Sequence, residues 1–302
     1  MRMRCSLFPL LLLVISATNA GLLAQSGGTF APTGSMMTPR VGHTSTLLRD
    51  GRVLIAGGHS EALDPFLASA ELYDPSTGTF APAGNMTTPR LRHTATLLAN
   101  GKVLIGGGDE VNGTAELYDP ETGQFTRTGD MIPNGGGYYT ATALPDGKVL
   151  FIANFFGAGA QLYDPSTGVF TATGNPLSAP YGPNTATALP DGKVLLTQSS
   201  ELETEVYDPE TGAFRRTAQI DPPVVGAAAQ LLDGNVLFTG DDIRGSTIAQ
   251  IYITKNAFFS RAGDLKQPRL YHTATLLPDG RVLIAGGQVS GGNTFQFRVV
   301  RI

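Results

Sequence analysis

Cysteine is almost absent: the 302 residues contain one, Cys5, and it stands before the first apolar run. Disulfides, thiolate metal sites and cysteine nucleophiles are excluded from everything that follows it. Tryptophan is missing altogether. No run of Lys or Arg occurs and the formal charge is −4, which argues against a nucleic-acid or anionic-membrane partner. Beyond the N-terminus no apolar stretch approaches the roughly 20 residues of a membrane-spanning helix. No segment carries the apolar spacing of three and four long enough for a helix. Nucleophile motifs built on Ser or Thr are absent, and so are Gly-rich phosphate loops, because each Gly-Gly closes an apolar run and precedes no Lys.

What is present begins with a leader. Met1 to Arg4 is basic, Leu7 to Ile15 is apolar apart from Pro9, and Thr18 and Ala20 suit the −3 and −1 positions of a cleavage site. This is the layout of a secretory signal peptide over residues 1–20, with residues 21–302 as one mature domain. Loss of Arg2 and Arg4 takes the formal charge from −4 to −6. Cys5 lies before the apolar run, so a lipid-anchored form is not expected. Export to the periplasm or the medium is.

The mature chain writes one sentence six times. Its turn glycine recurs at Gly51, Gly101, Gly147, Gly192, Gly234 and Gly280, at intervals of 50, 46, 45, 42 and 46 residues. Such a period marks a repeat architecture. Each unit reads as four short strands: HTATLL with a period of two, an Asp-Gly or Asn-Gly hairpin, a buried RVLIAGG run, an AELYD strand, a DPxTG turn and a TGTF strand. The last aromatic falls at Phe80, Phe125, Phe170, Phe214 and about Phe258. Four antiparallel strands at this length predict a β-propeller blade. Ser26 to Met36 reads as a lone fourth strand and NTFQFRVV after Gly287 as a lone third one. Six blades result, the sixth completed by the N-terminal strand, which removes two sheet edges.

PRxxH, the apolar strand ending in Gly-Gly, the following Tyr and the late aromatic resemble Kelch repeats of the exported bacterial type, related in fold to the central domain of galactose oxidase. Kelch units usually carry Trp in the last strand; Phe stands there in this chain. The resemblance implies an all-β, six-bladed propeller with strand a innermost. The d–a and b–c loops then share one face and the tight hairpins the other.

Aligned on the turn glycine, the histidine of PRxxH is filled by His43, His93, Tyr139, Asn184, Gly226 and His272. The preceding arginine survives as Arg40, Arg90 and Arg269, and Gly-Gly is intact in the same three blades. One half of the face is therefore cationic and regular. The other is aromatic and irregular, with Tyr138, Tyr139, Tyr181 and Gly135 to Gly137. Repeated residues suit repeated structural needs, the His bonding backbone and the Arg pinning the d–a loop. The same arginines could instead offer forks to carboxylates or sugar hydroxyls, with the tyrosines as stacking surfaces. Non-repeated loop charges add His59, Glu61 and Asp64, then Asp109 and Glu110, then Asp241, Asp242 and Arg244.

The favoured expectation is a non-catalytic monomer that binds a protein or a glycan. The candidate set is Arg40, His43, His59, Arg90, His93, Tyr138, Tyr139, Tyr181, Asp241, Asp242, Arg269 and His272. No catalytic residue, metal or cofactor is assigned. The alternative is a carbohydrate hydrolase using Asp241 and Asp242 with Glu61, and a third reading is a structural envelope component. Galactose oxidase resembles a copper site of two Tyr and two His with a Tyr–Cys cross-link, which a mature chain without Cys cannot form. The histidines of adjacent inner strands are expected to lie too far apart for one ion.

Overall fold

Thr-Ala-Thr-Leu alternation suits a strand packed on two sides, and the Val-Leu-Ile runs suit one that is wholly buried. The computed structural model describes residues 32–60, 66–109, 113–133, 139–153, 159–177, 185–197, 202–222, 224–241, 247–266, 269–270, 272–287 and 299–301. Blade 1 is β1 (Thr44–Leu47), β2 (Val53–Ala56), β3 (Ser69–Asp74) and β4 (Thr79–Asn85). Blade 2 is β5 (Thr94–Leu97), β6 (Val103–Gly106), β7 (Ala115–Asp119) and β8 (Gln124–Arg127). Blade 3 is β9 (Tyr139–Ala143), β10 (Val149–Ala153), β11 (Ala160–Asp164) and β12 (Val169–Ala172). Blade 4 is β13 (Thr185–Ala188), β14 (Val194–Thr197), β15 (Glu203–Asp208) and β16 (Ala213–Gln219). Blade 5 is β17 (Val225–Gln230), β18 (Val236–Asp241), β19 (Thr247–Ile253) and β20 (Phe258–Gly263). Blade 6 shows β21 (Thr273–Leu276), β22 (Val282–Ala285) and β23 (Val299–Arg301).

Every blade is an antiparallel meander in strand order a-b-c-d, five of four strands and the last of three. The innermost strands β1, β5, β9, β13, β17 and β21 follow one another around the axis. Blades are held together by apolar seams. Leu54, Ala56 and Met86 meet Val103, Ile105 and Tyr118 between blades 1 and 2, and equivalent residues fill the next four seams. Burial of each such Val, Leu or Ile contributes roughly 1.5–3 kcal/mol, so the seams dominate stability.

One sequence expectation changes in detail. The aromatic of blade 5 is Phe259, not Phe258: Tyr252 pairs across the sheet with Phe259, their rings 5.1 Å apart, and Phe258 points out, 45% exposed. In blade 6, Ile284 pairs with Val300 as Ile55 pairs with Glu71, so the end of NTFQFRVV stands in the third strand as expected; its earlier residues lie outside the described ones.

A second device recurs between blades. The Thr128 and Thr173 hydroxyls, at the end of a fourth strand, hydrogen-bond the phenols of Tyr163 (2.8 Å) and Tyr207 (3.0 Å) in the next blade. Thr217 does the same to Tyr252 at 3.1 Å. Thr33 reaches Tyr73 at 2.9 Å, and the Gly34 N–H donates to Gly78 O at 2.8 Å as Gly129 does to Gly168. Thr33 and Gly34 therefore sit where the fourth strand of a preceding blade ends. The pairing of residues 26–31 with blade 6 lies outside the described residues. At this seam Leu47 is 63% exposed, whereas its counterpart Leu97 packs against the core between blades 1 and 2.

Blade 2 lacks the latch. Ala83 stands in place of the threonine, and the buried Tyr118 hydroxyl has no partner. Thr173→Ala should put Tyr207 in the same position and cost about 1 kcal/mol. Ala83→Thr should recover a similar amount. Urea unfolding of both variants checks this, and midpoints equal to wild type would show that the latch contributes nothing.

Candidate functional site

The d–a and b–c connections meet on one face because strands a and c run opposite to b and d. The two faces differ in regularity. All six a–b connections are five residues long and all five c–d connections four. The b–c connections run from thirteen residues in blade 6 and twelve in blade 1 to five in blades 4 and 5, and the d–a connections from five to twelve.

The hairpin face is uniform because its turns satisfy themselves. Asp74, Asp119, Asp164 and Asp208 each accept the backbone N–H two residues on, at 2.8–3.0 Å. Asp50, Asp146, Asp191 and Asp279 do the same in the a–b turns. Three clefts of about 380–420 Å³ open between neighbouring hairpins, one of them lined by Asp146, Lys193, Asp208 and Glu210.

On the variable face the repeated arginines turn inward. Arg90 is wholly buried and donates to Glu116 at 3.0 Å, to the carbonyls of Gly107 and Thr114 at 2.8 and 3.0 Å, and to the Thr114 hydroxyl at 2.8 Å. Asp109 lies 3.8 Å from the same guanidinium. Arg40 likewise donates to Glu71 (2.8 Å) and to the carbonyls of Gly57 (2.9 Å) and Ser69 (2.7 Å). Arg269 is buried and donates to the Gly286 carbonyl. Arg40, Arg90 and Arg269 as forks for a ligand are thus corrected: Arg40 and Arg90 spend their donors on the strand-c glutamate and the b–c connection of their own blade, and Arg269 is buried against Gly286.

Their partner is a position the sequence reading passed over, the second residue of AELYD. Glu71 accepts the N–H groups of Met37 and Thr38 at 2.8 and 3.0 Å, and Glu116 that of Thr87 at 2.7 Å. Gln161 takes the Ile132 N–H at 2.8 Å, and Glu205 the Leu177 N–H at 2.9 Å. Gln250 donates to the Pro222 carbonyl at 2.9 Å. The sequence signal is only partial: blades 3 and 5, which lack the arginine, carry neutral Gln at this position, but blade 4 lacks it too and keeps Glu205, and blade 6 keeps Arg269 with Val300 there.

The histidines are seam residues. His93 shares a 2.9 Å hydrogen bond with Thr44 of blade 1, and His272 one with Thr239 of blade 5. Burial lowers the pKa of His93 to about 3, helped by the Arg90 charge. Burial also lowers His272 and, less enclosed, His43. Gly226 occupies the histidine position in blade 5 because a Cβ there would lie 2.0 Å from Thr239 O and 2.7 Å from His272 Cε1. Tyr139 is 6% exposed, its ring 6.3 Å from Phe151. Burial, with Asp109 nearby, pushes its phenol up to about 12. It is core, not the stacking surface expected.

His59 is half-buried, its backbone paired both ways with Val41 at 2.8 and 2.9 Å. Asp241 ends β18, paired with Val225 and Thr247. Tyr138, Tyr181 and Asp242 lie outside the described residues, as do Glu61, Asp64, Glu110, Asn184 and Arg244. The structure brings together Arg90, His93, Asp109 and Tyr139; it does not bring the three seam histidines together.

Blades of this form define a β-propeller. A family profile for the Kelch motif matches residues 39–87, and the fold is that of a Kelch-type β-propeller. No curated protein matches its sequence. Among solved structures it is similar to a fungal alcohol oxidase of the AA5 family in complex with copper. The TM-score is 0.70 at 18% identity, over 86% of this chain and 62% of that one. The chain thus spans less than two thirds of the oxidase's length. Copper does not fit the residues described: no three of His, Cys, Asp or Glu converge among them, and two seam histidines give Nε2 to threonine.

Arg90→Ala should cost about 3–5 kcal/mol, because Glu116 and Asp109 are then buried without a cation; a denaturant midpoint near that of wild type would refute the pin. His93 predicts a pH effect of definite sign. Its folded pKa lies below the ordinary 6.5, so between those values the unfolded chain binds more protons and stability falls as pH falls. The slope approaches about 1.4 kcal/mol per pH unit for this group. His93→Gln should flatten that part of the profile.

Proposed function

We propose that the chain is an exported, non-catalytic Kelch-type propeller that holds a protein or glycan ligand across its d–a/b–c face. The carrying observation is the contrast in connection length: uniform five- and four-residue turns on one face, loops of five to thirteen residues on the other. A scaffold that needed only to close a ring has no use for the variation, whereas recognition is built from irregular loops on rigid elements. The buried Arg–Glu pins support this reading. They fix both ends of the crossing loops from within and leave the outward side chains free to differ. At the position whose N–H the strand-c residue takes, those side chains are Met37, Thr87, Ile132 and Leu177, all exposed.

The test is binding of the full chain to a glycan array and to a panel of extracellular proteins, with two variants. Changing Met37, Ile132 and Leu177 to Ser should weaken the specific signals at least tenfold. Changing Lys102, Lys148 and Lys193 to Glu, on the hairpin face, should leave them. The reverse pattern would move the site to the hairpin clefts.

A further inference from the structure

One a–b turn carries an amide where the other five carry an acid. Asp50, Asp146, Asp191, Asp233 and Asp279 precede the turn glycine in blades 1, 3, 4, 5 and 6, and Asn100 does so in blade 2. All six side chains accept the backbone N–H two residues on, Asn100 from Lys102 at 3.0 Å and the aspartates at 3.0–3.2 Å. The turn is thus the same for either group. The cations of these turns are not. Arg52, Lys148, Lys193 and Arg281 each pair with the aspartate of their own turn. Lys102 has no acid there and reaches out of the hairpin to Asp119 at 3.0 Å. Asn100 is exposed and is followed by glycine, which brings no Cβ to shield its nitrogen and makes the preceding asparagine labile. The space that a Cβ on Gly101 would face holds only the Arg49 side chain, 3.6 Å away at Cδ. Two bonds restrain the pair in the closed turn: the Gly101 N–H donates to Leu98 O at 2.9 Å, and Asn100 Oδ1 is held forward by Lys102. Both lie at a hairpin tip, where local opening costs little.

We propose that Asn100 is a site of spontaneous deamidation and that the fold accepts and keeps its aspartate product. When the turn opens, the Gly101 backbone nitrogen attacks Asn100 Cγ. The Cγ–Nδ2 bond breaks, and ammonia leaves with the proton that Gly101 gives up. Water then adds at Cγ, the bond from Cγ to the Gly101 nitrogen breaks, and that nitrogen recovers a proton. The main chain is restored with a carboxylate at position 100; one water is consumed and one ammonia released. Water adding at the main-chain carbonyl instead gives the isoaspartyl linkage, which lengthens the backbone by one atom. The longer chain strains a turn tied by Gly101 N–H to Leu98 O and by Leu98 N–H to Lys102 O at 2.8 Å, with Leu98 fixed in the core between blades 2 and 3. The aspartate form re-forms the turn that the other five blades already show, and its charge falls beside Lys102 and Arg49. The site lies on the hairpin face, apart from the ligand face proposed above.

The full chain and the free peptide of residues 97–103 are aged side by side at mildly alkaline pH, below the thermal midpoint of the protein. Peptide mapping by mass spectrometry reads acid at position 100, and an isoaspartyl methyltransferase assay separates the two products. Acid should appear in the folded chain about tenfold more slowly than in the peptide, since the turn must first open. Its isoaspartyl share should be under half that of the peptide. The variant Asn100→Asp, which is the product itself, should melt level with wild type or up to about 2 °C higher. Folded chain that shows no acid at position 100 after many half-lives of the peptide would overturn the proposal. So would an isoaspartyl share equal to that of the peptide, or an Asn100→Asp midpoint below wild type, because the turn would then not favour the aspartate.

Discussion

A buried side chain on the third strand accepting the backbone of the crossing loop is the contact on which the rest depends. Each blade must hand the chain from its outermost strand to the innermost strand of the next, and that crossing leaves N–H groups inside the protein. An unpaired buried N–H costs more than most single contacts return. Glu71, Glu116, Gln161 and Glu205 supply the acceptor. In blades 1 and 2 the carboxylate is then balanced by Arg40 and Arg90. The same guanidiniums bind the ends of the b–c connections, so one internal network fixes both loops of the variable face.

Freedom outside follows from rigidity inside. With both loops anchored by buried groups, the outward residues answer to solvent or to a ligand, and their lengths and chemistry diverge from blade to blade. The hairpin face had no such latitude. Its turns are closed by aspartates bonded two residues ahead, and five- and four-residue turns cannot lengthen without losing that bond. The likeness to a fungal alcohol oxidase is one of architecture: the histidines that could have suggested a metal are spread over separate seams and dried by burial.

Much of the fold was legible because a six-fold repeat averages out local ambiguity. The Asp-Gly hairpins, the Tyr–Phe pairs and the blade count all follow from spacing. Where the repeat decays, legibility decays with it: about Phe258 was expected where Phe259 makes the contact. The candidate site was less legible. Arg40, Arg90 and Arg269 look like surface forks in a string of letters, because a string does not show that Glu71 and Glu116 lie opposite them.

The sequence by itself determined the periodicity, the four-strand unit, the turn chemistry and the exclusion of thiol chemistry, since each is a property of neighbouring residues or of counts. Only the tertiary structure decided direction: which arginines face inward, which histidines close seams, and which tyrosine is core. Side-chain direction at a strand entrance is set by what lies opposite, in the third strand of the same blade or across the seam, and those partners stand 26 and 49 residues away for Arg90 and His93. No local rule reaches that far.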